Sequence, residues 1–212
     1  MLSSSYSYGS FSEMPWVTSF LSERGNDLLC EVPVEFIEDS FNLTGLDQQV
    51  PYYDDALDII LDESTVDSDV LQESARLLYA LIHQRYVITP YGLGDMKRKY
   101  KRGEFGKCPR VLCNHQPSVP VAVTQKPGKD CVRFFCPRCK NIYFPKSRYH
   151  EGVDGVFFGT TFAHLFFMTY SDLIPQEPPH EYVPRIFGFR IFDEEAYKRR
   201  HEAKAIKMKE ED

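Results

Sequence analysis

The residues of this sequence that could do chemistry are four cysteines in two close pairs. Cys108 and Cys113 enclose four residues, and Cys136 and Cys139 enclose two. Four thiolates at this spacing can converge on one tetrahedral Zn²⁺ ion, and a shell of four protein ligands leaves no open position for water or substrate. The pattern therefore predicts a structural zinc ribbon that holds one Zn²⁺ per chain and performs no catalysis.

Two other interpretations of these cysteines stay open. A redox role for Cys136 and Cys139 would leave the first pair without a purpose, and the surrounding sequence lacks the βαβ pattern of thioredoxin-like proteins. The ligand set could also differ, because Cys131, His115 and His150 lie nearby in the sequence. Cys131 falls in the alternating run CVRFFC, where a small half-buried residue is expected to pack, and we interpret it as a packing residue. His115 remains as a weaker candidate for a substitute ligand.

Three short strands are predicted to position the cysteines. Residues 119–123 and 131–135 are expected to pair across a turn at 126–129, and residues 141–144 supply a third strand. The apolar side chains beside the cysteines exceed what so small a sheet can bury, so we expect them to face a partner, which could be another copy of the chain. They are Val111, Leu112, Ile142, Tyr143 and Phe144.

The part of the chain before the ribbon is predicted to be helical. In the longest periodic stretch, apolar residues at three-four spacing run from Leu71 to Ile82, which predicts a central helix that ends before Pro90. Shorter helices are expected on both sides of it. Residues 1–15 are largely small, polar and aromatic without periodicity, and we expect them to form a mobile tail.

An aromatic segment and a hairpin are expected after the ribbon. A short helix is predicted at about residues 160–170, where His164 lies among apolar residues and is expected to be a buried, hydrogen-bonded histidine. A proline-rich linker follows it. In the next segment, PRIFGFRIF, Gly188 between Phe187 and Phe189 is typical of a tight hairpin that exposes both rings as anchors, and an edge strand of the ribbon is the alternative.

These elements predict the α+β fold class. An all-helical amino-terminal domain precedes a zinc-ribbon domain with a small antiparallel sheet, and an extended hairpin and tail follow. The expected boundaries are residues 1–15 for the tail, 16–104 for the helical domain with an acidic surface, 105–170 for the ribbon, and 171–212 for the linker, hairpin and charged tail.

The charge of the chain is polarised. Residues 1–70 contain fifteen acids and one base, Arg24, whereas the whole chain carries a net charge of −6. The acidic half could attract basic proteins or polyamines and should repel nucleic acid, or it could simply be a set of solvated helix faces. The five bases within residues 97–102 could form a solvated helix face, a nuclear-import signal or a phosphate contact.

Composition also bears on the compartment. Six cysteines, four of them in metal spacing, favour a reducing compartment over a disulfide framework. The sequence has no apolar run of eighteen residues and no basic-then-apolar amino terminus. We therefore expect neither a membrane span nor a secretory signal.

Eight stretches of the sequence resemble the regulatory beta subunit family of casein kinase II. They are WVTSFLSERGNDLLCEV, EFIEDSFNLTGL, QVPYYDDALDIILD, LLYALIHQRYVIT, GEFGKCPRVLC, FFCPRCKNIYFPKS, DGVFFGTTFAHLFFM and VPRIFGFRI. The resemblance covers residues 16–192 in order and nearly without gaps. It is far more specific than a zinc ribbon by itself.

The resemblance implies a non-catalytic subunit that modulates the stability, activity and substrate choice of a serine/threonine kinase. Two copies would dimerise through the ribbon, at a predicted interface of Pro109, Val111, Leu112, Ile142, Tyr143 and Phe144. Each copy would dock a catalytic (alpha) subunit and so form a two-plus-two tetramer. The docking residues would be Ile186, Phe187, Gly188, Phe189 and Ile191.

The acidic and phosphorylated segments depart from the family pattern. The family's acidic loop, proposed to bind polyamines and basic protein substrates, is diluted here to a surface that includes Asp54, Asp55, Asp58, Asp62 and Glu63. The family's amino-terminal serines are followed directly by acids, and those of this chain are not. Ser10 and Ser64 each have an acid three residues on and are the candidate phosphorylation sites.

Two other functions compete with that of a regulatory subunit. An enzyme is disfavoured, because the sequence has no Gly-rich phosphate loop and no kinase catalytic-loop signature. A zinc-ribbon nucleic-acid-binding or transcription-associated protein is the alternative, favoured by the bases at 97–102 and opposed by the acidic first half. Nucleic acid is therefore not the expected partner, and the expected locations are the nucleus and the cytoplasm.

Overall fold

The computed structural model of the chain describes residues 14–64, 68–195 and 197–199. The chain divides into two compact units, Met1–Pro178 and Pro179–Asp212. Helices and short antiparallel strands together confirm the predicted α+β class. The helices found in the described residues are α1 (Trp16–Ser22), α2 (Val34–Glu38), α3 (Ser40–Leu43), α4 (Tyr53–Ile60), α5 (Asp69–Tyr86), α6 (Pro90–Arg102), α7 (Arg148–Glu151) and α8 (Phe162–Thr169).

The central helix of the first unit is α5, as the three-four spacing predicts. Its 18 residues bury Ala75, Leu78, Tyr79 and Ile82 on one face, and α4 packs against it. Burial of one large apolar side chain stabilises the fold by about 1.5–3 kcal/mol, so this face is a main source of stability. None of the helices in the described part of the chain is long and apolar enough to span a membrane.

The end of α5 differs in detail from the sequence prediction. The helix ends at Tyr86, and Pro90 begins α6 instead of merely stopping α5. Proline suits the first position of a helix, because the amide proton it lacks has no helical partner there. Thr89 caps α6 by accepting a hydrogen bond from the Gly92 amide. A Cβ at Gly92 would lie 2.1 Å from the Tyr86 carbonyl oxygen, so only glycine permits this close turn.

The three strands of the ribbon form one antiparallel sheet in the order β1-β2-β3. They are β1 (Val119–Val121), β2 (Arg133–Phe135) and β3 (Ile142–Tyr143), each shorter than predicted. Val119 lies opposite Phe135, which in turn lies opposite Ile142. Helix α8 packs against β1 and buries Phe162 and Phe166 completely.

The prediction for His164 was wrong, and a different histidine takes the buried position. Helix α8 buries residues 162, 163, 166 and 167, so His164 points away from that face and is exposed. His83 on α5 is fully buried instead. Its Nδ1 donates to the Phe157 carbonyl at 2.6 Å, and its Nε2 accepts from the Cys30 amide at 3.1 Å.

The second unit contains a two-stranded hairpin, β4 (Arg185–Ile186) and β5 (Phe189–Arg190). Its strands pair with each other in a sheet separate from the ribbon sheet. Within the described residues this arrangement supports the hairpin interpretation over an edge strand of the ribbon.

Candidate metal centre and interaction surfaces

Two tight turns present the four cysteines of the metal centre. Cys108 donates its amide proton to the Gln116 carbonyl at 2.8 Å, and Cys113 ends a short 3₁₀ turn, Val111–Cys113. Cys136 directly follows β2, and its amide donates to the Asn141 carbonyl at 3.0 Å. The turns thus place both pairs of thiols at one end of the sheet.

The geometry of the four thiols fits one metal ion. All four sulfur atoms lie within 4.8 Å of one another, and Cys108 Sγ lies 3.9 Å from Cys139 Sγ. Ligands of a tetrahedral site with metal–sulfur bonds of about 2.3 Å are separated by about 3.8 Å. Three of the cysteines are buried and Cys139 is half-buried. The four side chains therefore have the spacing of a closed, four-ligand metal site.

The protonation of these thiols shows why the cluster suits a cation. Burial raises the pKa of Cys113 to about 11 and also raises the pKa of Cys136. Burial opposes ionisation of Cys139 as well, but hydrogen bonds, led by that of the Tyr143 hydroxyl, lower its pKa to about 7. Four adjacent thiolates repel one another, so a bound divalent cation would stabilise the fully ionised set.

The other potential ligands are not brought to this centre. Cys131 is half-buried and pairs in an isolated bridge with Asp154, as the packing role predicts. His115 is exposed in a left-handed backbone conformation with φ of 55°. His150 contacts the Asp27 carboxylate at 3.0 Å. The metal centre therefore consists of cysteines, within the described residues.

The residues predicted to form a dimer interface lie around the metal centre. Val111 is 87% exposed, Phe144 69% and Ile142 50%. Pro109 is also exposed, while Leu112 and Tyr143 are half-buried. The Tyr143 hydroxyl lies 3.2 Å from Cys139 Sγ, which links this apolar surface to the metal centre.

The hairpin of the second unit exposes its aromatic residues. Phe187 and Gly188 form the turn with φ of 49° and 85°, the positive values of a type I′ turn. Phe187 is 97% exposed and Phe189 79%. Ile186 and Ile191 are exposed as well, at 57% and 49%. The predicted docking residues are thus presented together, with Ile186 directly opposite Phe189.

The predicted acidic surface lies on α4 and the turn that follows it. Asp54 and Asp55 are exposed in the first turn of α4, and Glu63 is exposed beyond its end. Asp58 is half-buried, and Asp62 accepts a hydrogen bond from the Trp16 amide at 2.8 Å.

The two candidate phosphorylation sites are described unequally. Ser64 is half-buried just after that turn, and its amide donates to the Asp58 carbonyl at 3.3 Å. The acid three residues after it, Asp67, lies outside the described residues. Ser10 also lies outside them, so both sites stay predictions.

The basic run at 97–102 is largely engaged in local contacts. Arg98 pairs with Asp95, and both Lys99 and Arg102 pair with Glu104. Lys97 lies over the Tyr170 ring at 3.8 Å. Four of these five bases therefore have intramolecular partners, which weakens the case for a phosphate-binding patch.

Sequence reasoning missed the hydrogen-bonded pair formed by Cys30 and His83. Both are buried, and the Cys30 thiol lies 3.4 Å from His83 Nε2. Burial raises the pKa of Cys30 to about 12 and lowers the pKa of His83 to about 4. The sequence contained one signal for the burial of His83: it follows Tyr79 by four residues, which places both side chains on the same face of a helix.

Comparison with known proteins identifies the family. The model of the casein kinase II regulatory subunit family matches residues 15–190. The chain belongs to this family. Casein kinase II subunit beta from Dictyostelium discoideum is 46% identical over 185 residues, which cover 84% of this chain and 69% of that protein.

Other relatives carry related names. Casein kinase II subunit beta from Schizosaccharomyces pombe is 47% identical over 181 residues, 83% of this chain and 78% of that protein. Casein kinase II subunit beta' from Drosophila melanogaster is 44% identical over 186 residues, 84% of each chain. These findings confirm the predicted membership of the casein kinase II regulatory family, whose members are regulatory and not catalytic subunits.

Proposed function

We propose that the chain is a zinc-stabilised, dimeric docking subunit of casein kinase II. In this proposal two copies associate beside their metal centres, and each hairpin binds one catalytic subunit to give a two-plus-two complex. Docking then modulates the stability, activity and substrate choice of the kinase. The observation that carries the proposal is the hairpin, because the large apolar rings of its Phe187 and Phe189 are mostly exposed.

Zn²⁺ is the ion that the four cysteines fit best. A tetrahedral set of four thiolates suits zinc or an iron–sulfur centre, and zinc needs no redox chemistry to serve a structural role. When bound, it would supply on the order of 10 kcal/mol of folding free energy to the ribbon. The cysteines close its coordination shell, so the centre would support association and not catalysis.

Self-association is supported by the apolar surface beside the metal centre. Val111, Ile142 and Phe144 expose large fractions of their side chains. Exposed apolar side chains of this size, clustered in the sequence around one centre, are typical of a protein interface. The same surface on a second copy would cover it symmetrically, as in most homodimers.

Docking to the kinase is supported by the shape of the hairpin. The type I′ turn places Phe187 at the tip, while Phe189 follows on β5. Exposed aromatic anchors that enter a groove on a partner cost about 2–4 kcal/mol of binding free energy when truncated. A loss of that size weakens binding by about 30-fold or more.

The decisive experiment compares Phe189→Ala with Phe41→Ala. Both side chains are strongly exposed, at 79% and 82%, but only Phe189 belongs to the hairpin. Light scattering after size exclusion should show both variants as dimers, with catalytic subunit bound by Phe41→Ala and lost by Phe189→Ala. If Phe189→Ala binds the catalytic subunit as well as the parent chain does, the docking assignment is wrong.

The acidic surface is proposed to bind basic protein substrates or polyamines. Asp54, Asp55 and Glu63 are exposed, and the first 70 residues, to which they belong, contain a single base. Spermine binding that is weakened by an Asp54→Asn and Asp55→Asn double variant would support this role. We also propose phosphorylation at Ser10 and Ser64, and a location in the nucleus and cytoplasm, where the kinase would meet such substrates.

A further inference from the structure

A second apolar surface lies on the helical part of the first unit, away from the metal centre residues. A groove of about 580 Å³ opens between α2 and the turn from α5 to α6. On its floor the Phe36 ring meets Tyr86 edge to face, with ring centroids 5.3 Å apart. Pro33 and Pro90 line its sides, and Tyr91 at the start of α6 is 82% exposed. The groove therefore offers an aromatic pocket that nothing in the described residues fills.

The charge around this groove is negative. Glu35 and Asp39 are the charged residues that line it, and both are exposed. The sequence has no lysine or arginine between Arg24 and Arg76. Arg85 is the cation beside the groove, since its guanidinium donates to the carbonyls of the lining residue Asn42 and of Thr44 at 2.5 and 2.9 Å, but it does not line the groove, and two acids against this one base leave the rim negative.

The two acids of the rim are not equivalent. Asp39 caps α3, because its Oδ1 accepts from the Phe41 amide at 3.0 Å. Glu35 has no ion pair among the described residues. Its carboxylate is therefore available to an incoming cation at no structural cost.

We propose that this groove docks a basic peptide segment of a partner protein. One apolar side chain of the segment enters the pocket between Phe36 and Tyr91, and lysine or arginine side chains pair with Glu35 and Asp39. The apolar pocket supplies the anchor, and the negative rim selects a basic segment over an acidic one. This site goes beyond the proposed docking of the kinase, because the chain would bind such a segment without any catalytic subunit.

The test measures binding of a synthetic peptide to the full chain by fluorescence anisotropy. The probe is a fluorescein-labelled nonapeptide with two basic residues at each end and one leucine in the middle. Tyr91→Ala and Glu35→Lys alter the groove. Tyr182→Ala and Glu177→Lys are the matched controls, because they change an exposed tyrosine and an exposed acid outside both the groove and the proposed acidic surface.

We expect Tyr91→Ala and Glu35→Lys each to raise the Kd of the peptide about fivefold or more, and the controls to leave it within about twofold. Replacing the leucine of the peptide with serine should weaken binding to the parent chain by a similar factor. Absence of binding to the parent chain, equal losses in the controls, or binding that ignores the leucine would overturn the proposal. Spermine competition that abolishes binding equally for both peptides would also overturn it, since attraction would then be purely electrostatic.

This experiment is independent of the proposed kinase docking. The four variants leave the hairpin and the metal ligands unchanged, so light scattering with catalytic subunit tests the proposed function on the same proteins. Circular dichroism of each variant shows that a loss of peptide binding is not a loss of fold.

Discussion

Replacement of the buried His83 tests how the helical part is held to the segment that follows the ribbon. The imidazole accepts from the Cys30 amide and donates to the Phe157 carbonyl, so both nitrogens are satisfied in the neutral form. His83→Phe would keep a ring in this space and leave two buried backbone groups without partners. Each such group costs about 1–3 kcal/mol, so the free energy of unfolding should fall by about 2–6 kcal/mol at neutral pH.

The same histidine should make the stability of the parent chain depend on pH. Burial lowers the pKa of His83 from 6.5 to about 4, so the unfolded chain takes up this proton first as the pH falls. Its stabilising contribution is complete above about pH 6.5 and is lost progressively down to about pH 4. Between pH 7.5 and 5.0 the loss amounts to about 2 kcal/mol.

Urea unfolding at these two pH values measures both effects. Trp16 is the single tryptophan, and it stacks on Phe20 at 5.1 Å and meets Tyr79 at 5.9 Å, so its fluorescence reports on this core. The metal-binding thiols are common to both proteins, and their contribution cancels in the comparison of His83→Phe with the parent. If the variant loses as much stability between pH 7.5 and 5.0 as the parent does, His83 is not the responsible group.

Three further predictions concern the metal centre and two turns. Cys136→Ser should lose bound zinc, dimerisation and kinase binding, whereas the control variant Cys131→Ser should keep all three. Metal analysis and light scattering measure these properties. A metal-free dimer of Cys136→Ser would contradict the proposed role of the metal centre. Gly92→Ala should destabilise the fold by about 3 kcal/mol or more, because its Cβ would overlap the Tyr86 carbonyl. The control Gly94→Ala meets no atom within 4 Å and should stabilise α6 by up to about 1 kcal/mol. Thermal unfolding measures both changes. A Cβ at Gly188 would meet no atom within 4 Å, but the position needs φ of 85°, which strains alanine. Gly188→Ala should therefore weaken kinase binding severalfold. Unchanged binding in calorimetry would argue against a preformed turn.

The metal ligands could be predicted from the sequence because their spacing is local. Each pair of cysteines lies within one tight turn, so the distance between its two thiols depends on the local sequence and not on the rest of the fold. The hairpin was predictable for the same reason, since Gly188 and its aromatic neighbours determine a two-residue turn. The alternatives offered by Cys131 and His115 required the structure, because their distance from the centre depends on the path of the intervening strands.

The histidines show where local patterns fail. His164 lies in the more apolar helix and was expected to be buried, yet the face that α8 presents to β1 leaves it exposed. His83 lies in a more polar stretch and is fully buried, because three separate segments meet around it. Burial of a single polar residue is decided by which faces meet, and the spacing within one helix does not contain that information.

The amino-acid sequence by itself determined the family, whose matching stretches follow one another in order along residues 16–192. It also predicted the helical period of α5, the two close cysteine pairs and the aromatic hairpin, since each of these depends on residues close together in the chain. Tertiary structure alone decided which histidine is buried, how Glu35 and Tyr91 come to border one groove, and which acids remain accessible around it. These features join residues more than fifty positions apart: the packing of α2 against the turn between α5 and α6 forms the groove, and the meeting of α5 with the segments of Cys30 and Phe157 buries His83.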